Sequence, residues 1–243
     1  MVIEEKEKKI ELKGIVKYVY KKMGKAIADY RMIEEGDRIL VGVSGGVDSL
    51  SLIKLFKMRE KRVPIRFDFM ACFVSTNFIE VDKKTVINYL EDNGIPYVVR
   101  EMELDDKSID CFWCSWNRRK ILFTTTKELI FNKLALGHNL DDITETIIMN
   151  LFFHGEISAM KPKIELFDNE LTVIRPLCYV SKKDIQRFAN KLNLPYTYYE
   201  CKYGKDSHRQ LVKNVIELVE KKYPLVKKNI FRGLKKIKKD YLL

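Results

Sequence analysis

The sequence predicts an α/β fold, a twisted parallel sheet with helices on both faces, preceded by one helix and followed by basic helices. Three observations predict it. Short apolar runs alternate with stretches of helical periodicity through most of the chain, the pattern of parallel β-α-β units. The runs are separated by helices of ten or more residues rather than by tight turns. Two glycine-bearing segments, after Val43 and after Leu136, fall at the carboxyl ends of strands, where such sheets bind ligands. At 243 residues the chain can bury one substantial core.

Taken in order, the first thirty-odd residues read as a helix. Ile10, Leu12, Ile15, Val16, Val19, Met23, Ile27 and Met32 recur mostly three and four apart among Lys and Glu, until Gly36 and Asp37 break the pattern. Residues 38–43 read as a buried strand, followed by a glycine pair and a helix over 50–59. A second strand is expected over 65–74, a helix over 81–93 ended by Gly94, and a third strand over 95–100 with Pro96 near its start. A polar stretch carrying Cys111 and Cys114 precedes a helix over 115–132. Residues 134–136 form a short strand ended by Gly137, 141–153 a helix and 171–174 a fifth strand. Ser181, with Asp184 three residues on, opens a helix through Leu192. Beyond Pro195 no strand is evident, and 209–222 and 225–239 read as basic helices separated by Pro224. The expected organisation is an N-terminal helical segment (1–35), a catalytic domain (36–200) and a basic C-terminal helical segment (201–243).

The chain carries 45 Lys and Arg against 34 Asp and Glu, for a net charge of +11. Residues 205–243 hold twelve basic and four acidic residues, whereas residues 1–40 hold ten and eight. Tyr223, Phe231 and Tyr241 are interleaved in that tail, and Arg118, Arg119 and Lys120 form a second basic cluster. A solvated helical face would look similar, but the combination favours a surface that tracks phosphates. No apolar run approaches the roughly 20 residues of a membrane span, and residues 1–9 lack the apolar stretch of a secretory signal. A cytoplasmic protein without membrane contact is expected.

Three blocks carry chemistry. Ser44-Gly45-Gly46-Val47-Asp48-Ser49 lies between a strand and a helix. Its glycines let backbone N–H groups, from Val43 onward, approach a phosphate, the helix N-terminus adds positive potential, Ser44 and Ser49 can donate, and Asp48 can help hold Mg²⁺. It is not a Walker A loop, because Gly-Lys-Ser/Thr is absent. Gly137-His138-Asn139-Leu140-Asp141-Asp142 is the second block; its carboxylates can cap a helix, bind Mg²⁺ or orient a nucleophile. The third is Cys111-Phe112-Trp113-Cys114, which by itself fits a redox dithiol or half a zinc site. A four-thiolate zinc site needs a second pair, and only Cys201, just before the basic tail, remains. Three thiolates suit an iron–sulfur cubane with one iron lacking a protein ligand. Cys72, inside an apolar strand, and Cys178 are assigned to packing.

The Ser-Gly-Gly-Val-Asp-Ser loop resembles the pyrophosphate loop of the ATP pyrophosphatases, the adenine nucleotide alpha hydrolase-like fold, several branches of which carry Lys where this chain has Val47. In order, the three blocks resemble the tRNA 2-thiolation enzymes over roughly residues 15–235. The segments 24–30, 35–37, 150–152, 159–163 and 174–177 are similar to the 2-thiocytidine branch, whereas Asn139, the surroundings of Cys201 and the tail look like the archaeal 2-thiouridine branch. The zinc-binding clusters usual at both ends of that second branch have no counterpart in this sequence.

That resemblance implies an enzyme that cleaves ATP between its α and β phosphates. It places AMP on the C2 oxygen of a pyrimidine in tRNA, then replaces that oxygen with sulfur. Ser44, Gly45, Gly46 and Ser49 would cradle the pyrophosphate, with Asp48 and Asp142 near Mg²⁺. Backbone near Phe73, Val74, Gly137 and His138 would border the nucleotide. A 4Fe-4S cluster on Cys111, Cys114 and Cys201 would deliver sulfur, and Arg118, one helical turn past Cys114, would contact the phosphate or the adenylate. Arg118, Arg119, Lys120, Arg232, Lys235 and Lys236 would bind tRNA. A homodimer is implied, as is a sulfur donor: a cysteine desulfurase persulfide, sulfide or a small thiocarboxylate carrier. Three other readings share parts of this set. A tRNA lysidine synthetase has the first motif but no need of three cysteines. A 4Fe-4S thiouracil desulfidase would use the cysteines without ATP, and a non-catalytic RNA-binding module leaves Asp48 and the glycine pair idle.

Overall fold

In the computed structural model the described residues are 11–76, 82–102, 111–197 and 208–241, excepting the side chains of 111, 112 and 239. They form a six-stranded sheet in the order β3-β2-β1-β4-β6-β5. The strands are β1 (Asp37–Val43), β2 (Phe67–Thr76), β3 (Tyr97–Met102), β4 (Lys133–Ala135), β5 (Lys163–Leu166) and β6 (Leu171–Ile174). All neighbouring pairs run parallel except β5 with β6.

Alternation along the strands divides the core between the two faces of the sheet. Ile39, Val41, Val43, Phe69, Ala71 and Phe73 face one cluster, whereas Leu40, Cys72 and Val74 face the other. The first cluster lies under α1 (Gly14–Asp29), α2 (Val47–Glu60), α3 (Lys83–Asp92), α5 (Leu140–Met149) and α6 (Lys182–Lys191); α4 (Cys111–Glu128) covers the second with Leu122. In α1 the predicted stripe becomes the buried set Val16, Val19, Met23, Ala26 and Ile27. Two basic helices, α7 (His208–Lys222) and α8 (Val226–Gly233), follow, with a 3-10 turn at Lys239–Tyr241 after them. Cys72 and Cys178 are fully buried, and burial pushes their thiols up to about 11 and about 12. Among the described residues no helix is long and apolar enough to cross a membrane.

Four local differences from expectation have physical causes. β5 is an edge strand too short and too charged for periodicity to show, and it forms a hairpin with β6. The helix expected over 141–153 widens into a π turn at Asn150–His154, ended by Gly155 in the left-handed region. The Asn150 side chain there is drawn onto Ser158 Oγ at 2.7 Å. α4 begins at Cys111, so the cysteine pair forms its first turn rather than a preceding loop. α8 stops at Gly233, short of the expected 239.

The order places the site. Connections leave β1 towards β2 on one side and the chain later returns to β4 on the other, which opens a crevice at the carboxyl ends of β1 and β4. The register sets Val43 beside Phe73, so the end of β2 borders that crevice.

Candidate active site

The first loop is tied by one hydroxyl. β1 ends at Val43, Gly45 takes φ +78, which a side chain would resist, and Gly46 caps α2 in extended conformation. Ser49 Oγ donates to the Gly46 carbonyl at 2.9 Å and accepts from the Ser44 amide at 3.1 Å. Ser49 is therefore buried as a brace, while Ser44 faces the adjoining cavity. Val47 packs into the core while bordering the same cavity, and its side chain brings no cation to it.

The two strand ends are joined through Asn139. Its side-chain carbonyl accepts from the Asp141 and Asp142 amides, Asp142 returns a carboxylate to the Asn139 amide at 2.9 Å, and the pair forms a capping box on α5. The Asn139 side-chain NH₂ donates to Asp48 Oδ1 at 3.0 Å. Gly137 permits this approach, since a Cβ there would lie 3.2 Å from the Asp48 carbonyl carbon and 3.3 Å from the Ser49 nitrogen. The second Asp48 oxygen accepts from Lys182 Nζ. Lys182 opens α6 after the Ser181 cap, and its backbone N–H donates to Asp141 Oδ2 at 2.8 Å. Sequence reasoning missed Lys182, whose partner lies 134 residues away. The absence of a cation at Val47 was the one signal, and it left open whether that contact is supplied elsewhere or is dispensable.

A cavity of about 290 Å³ opens on this loop, lined by Ser44, Gly46, Asp48, Phe73, Val74, Arg118 and Lys182, with Tyr196 and Thr197 closing one side. The Thr197 amide donates to the Gly45 carbonyl. Arg118 reaches the cavity from α4, and its Nε is buried without a hydrogen-bond partner among the described residues. A buried guanidinium donor left unsatisfied is costly, and an anionic ligand would satisfy it.

Asp142 does not line this cavity. It faces a neighbouring charged groove with Asp141, Glu145, Arg209 and Lys227. Burial raises the Asp142 pKa, and the nearby Asp48 charge adds to it. Burial likewise pushes Glu145 up to about 7, against the pull of Arg209 at 3.3 Å. Lys227 binds both Asp141, at 2.6 Å, and Glu220, at 2.7 Å. His138 also lies off the cavity: its Nδ1 accepts from Arg175 Nε at 3.3 Å, and burial with that guanidinium pushes its pKa down to about 3. His138 is thus a neutral imidazole whose Nε2 carries the proton.

Cys111 and Cys114 share the first turn of α4, with Cys114 half-buried, and Cys201 lies outside the described residues. Arg119 and Lys120 are exposed on the same helix. Arg232, Lys235 and Lys236 line a groove with Lys228 and with Lys22 and Lys25 of α1. Burial and then the Lys228, Arg232 and Lys25 charges depress the Lys22 pKa. The α1 lysines escaped sequence reasoning because the charge of residues 1–40, taken together, is nearly balanced.

Residues 16–219 match the family model described as a PP-loop domain. The chain is 34% identical over 239 residues to the tRNA-cytidine(32) 2-sulfurtransferase of Geobacter sulfurreducens, covering 92% of this chain and 93% of that one. It is 36% identical over 231 residues to the enzyme of the same name from Pseudomonas fluorescens, covering 91% and 84%. In structure it is similar to the U34-tRNA thiolase NcsA from Methanococcus maripaludis with its 4Fe-4S cluster, with a TM-score of 0.78, 25% identity, and coverage of 91% of this chain and 78% of that one. The chain belongs to the PP-loop domain family and, within it, to the family of the tRNA-cytidine(32) 2-sulfurtransferases.

Proposed function

We propose that this protein is an ATP-dependent tRNA sulfurtransferase that converts a cytidine to 2-thiocytidine. One observation carries the reading: Arg118 stands on the helix that begins with the cysteine pair and lines the same cavity as the pyrophosphate loop. Nucleotide activation and sulfur delivery therefore converge on one place. The C2 oxygen of a pyrimidine is a poor leaving group; transfer of AMP from ATP to that oxygen, with release of pyrophosphate, turns it into a phosphate ester that leaves as AMP when sulfur attacks C2. The backbone of Ser44 to Gly46, the α2 N-terminus and Ser44 Oγ receive the pyrophosphate end of ATP. Lys182 supplies the cation missing at Val47, exchanging Asp48 for a phosphate oxygen. The freed Asp48 carboxylate, still held by Asn139, would help hold Mg²⁺, with Asp142 beside it across the Asn139 cap. Phe73 and Val74 border the nucleoside, and Gly137 and His138 support it from behind.

The soft donor set fits an iron–sulfur cluster: two cysteines in one helical turn, and a third four residues beyond Thr197, itself bonded to the loop. Cys111, Cys114 and Cys201 would hold a 4Fe-4S cluster, which would supply sulfur in deprotonated, nucleophilic form. Arg118 holds the adenylate phosphate facing that helix end. Residues 201–243 act as the tRNA-gripping segment through Arg232, Lys235 and Lys236, with Arg119 and Lys120 contributing from α4. The sulfur donor, a cysteine desulfurase persulfide, sulfide or small thiocarboxylate carrier, rests on the family resemblance, as do a homodimer and a cytoplasmic location. Iron analysis of anaerobically purified protein, alongside tRNA-stimulated release of AMP, tests the reading. Full activity without iron would leave a ligase such as a lysidine synthetase, and sulfur release without ATP would leave a desulfidase.

A further inference from the structure

The chain has two tryptophans, and both stand on the outer face of α4 beside the cysteine pair. Trp113 and Trp116 are 43% and 42% exposed, and their rings lie parallel, 5.3 Å apart at an interplanar angle of 7°. Lys120 continues the row, its Nζ 5.4 Å from the Trp116 ring centroid, so positions 113, 116 and 120 form one ladder along the helix. Arg119 flanks it, exposed, its guanidinium held by the Ser115 carbonyl and hydroxyl at 3.3 and 3.4 Å. Two indoles left this open in water forfeit the burial that normally stabilises them. Parallel rings with one cation over the Trp116 end of the stack and a second beside it suit a flat, π-faced and polyanionic partner rather than an aliphatic protein surface.

We infer that the Trp113–Trp116 ladder is a stacking platform for an unpaired nucleobase of a single-stranded RNA loop. The base it takes is a neighbour of the reacting one, because Arg118 reaches the nucleotide cavity from the same helix while the ladder points to solvent. The platform fixes the loop by stacking, and Arg119 and Lys120 hold the adjoining phosphates. This inference rests on the proposal that the substrate is tRNA.

The ladder contains all of the protein's tryptophan emission, which makes its occupancy directly observable. An end-labelled anticodon stem-loop RNA is titrated into the full chain, with anisotropy of the label and quenching of tryptophan emission read together over a range of salt concentrations. The expected result is quenching with the same midpoint as the anisotropy. Trp113→Ala/Trp116→Ala should then weaken binding about ten- to hundredfold at every salt concentration, leaving the salt slope unchanged. Trp113→Phe/Trp116→Phe should retain most of the affinity, and ATP binding should not change in either variant. Anisotropy showing saturation with no quenching, or unchanged affinity in the double alanine variant, would overturn the platform and leave the tRNA reading standing. A double alanine variant that binds RNA normally but loses self-association would assign the ladder to a contact between copies of the chain. Wild-type protein that fails to bind the stem-loop would overturn both readings.

Discussion

The side-chain amide of Asn139 donates to Asp48 Oδ1 at 3.0 Å, joining the end of β4 to the pyrophosphate loop across 91 residues of sequence. The same side chain caps α5 through its carbonyl oxygen, so one residue performs two separable tasks.

Substitution separates them. Asn139→Asp keeps the capping acceptor but replaces the donor with a second negative charge against Asp48. It should melt within a few degrees of wild type yet lose most ATP-dependent AMP release. Asn139→Ala should lose about 1 kcal/mol of stability as well. Wild-type turnover in Asn139→Asp would show that the contact with Asp48 has no part in activation.

Lys182, paired with Asp48, is the proposed replacement for the cation that the loop lacks at Val47. Lys182→Met should weaken ATP binding about tenfold, roughly 1.4 kcal/mol, with Lys182→Arg intermediate. Isothermal titration with a non-hydrolysable ATP analogue checks this, and equal affinity in Lys182→Met would remove the residue from the phosphate site.

The basic groove between α1 and α8 should act through charge alone. Arg232→Gln/Lys235→Gln/Lys236→Gln is expected to lower the slope of log affinity for tRNA against log salt by about 2 to 3. ATP affinity should stay unchanged. A parallel loss for all salts, with the slope intact, would contradict a phosphate-tracking role.

Glu145 gives the fold a pH signature. Burial raises its native pKa to about 7, above the ordinary carboxylate value, so the native state binds this proton more tightly than the unfolded chain does. Between about pH 4.5 and 7 that term makes stability fall as pH rises. His138 acts in the opposite direction: its pKa of about 3 lies below the unfolded value, so its contribution is present above about pH 6.5 and is lost as pH falls. Glu145→Gln isolates the first effect. Urea midpoints should be similar for variant and wild type at pH 5, with the variant gaining by pH 8; a gap independent of pH would show that Glu145 does not titrate in this window.

What could be read from the chain was whatever leaves a local pattern. The alternation of runs such as 38–43 and 65–74 with helices follows from burial on both faces of a parallel sheet. The glycine pair, the aspartates at 141 and 142 and the cysteine spacing are contiguous blocks. Lys182 and Asn139 acquire their meaning only when β1, β4 and α6 meet, and neither has a neighbour in sequence that announces it. The start of α4 at Cys111 was hidden because Cys-Phe-Trp-Cys offers no capping residue or charge periodicity. The π turn at Asn150 depends on a partner, Ser158, that lies beyond the helix. Val47 is the informative exception: a valine where several branches of the family carry lysine asks whether the contact is supplied elsewhere or is dispensable, and Lys182 beside Asp48 is the candidate the fold offers.

The pyrophosphate loop and Arg118 of α4 line one cavity, where activation and sulfur delivery are proposed to meet. Mass spectrometry of nucleosides from unmodified tRNA, incubated anaerobically with ATP, a sulfide source and the cluster-loaded protein, tests that most directly. Wild-type protein should yield 2-thiocytidine only when ATP is present. Cys111→Ala, Cys114→Ala and Cys201→Ala should each yield none while binding ATP within about twofold of wild type, equivalent to about 0.4 kcal/mol. A 2-thiouridine product would move the enzyme to the other base; a thionucleoside formed without ATP, or at wild-type level in any of the three cysteine variants, would contradict the account.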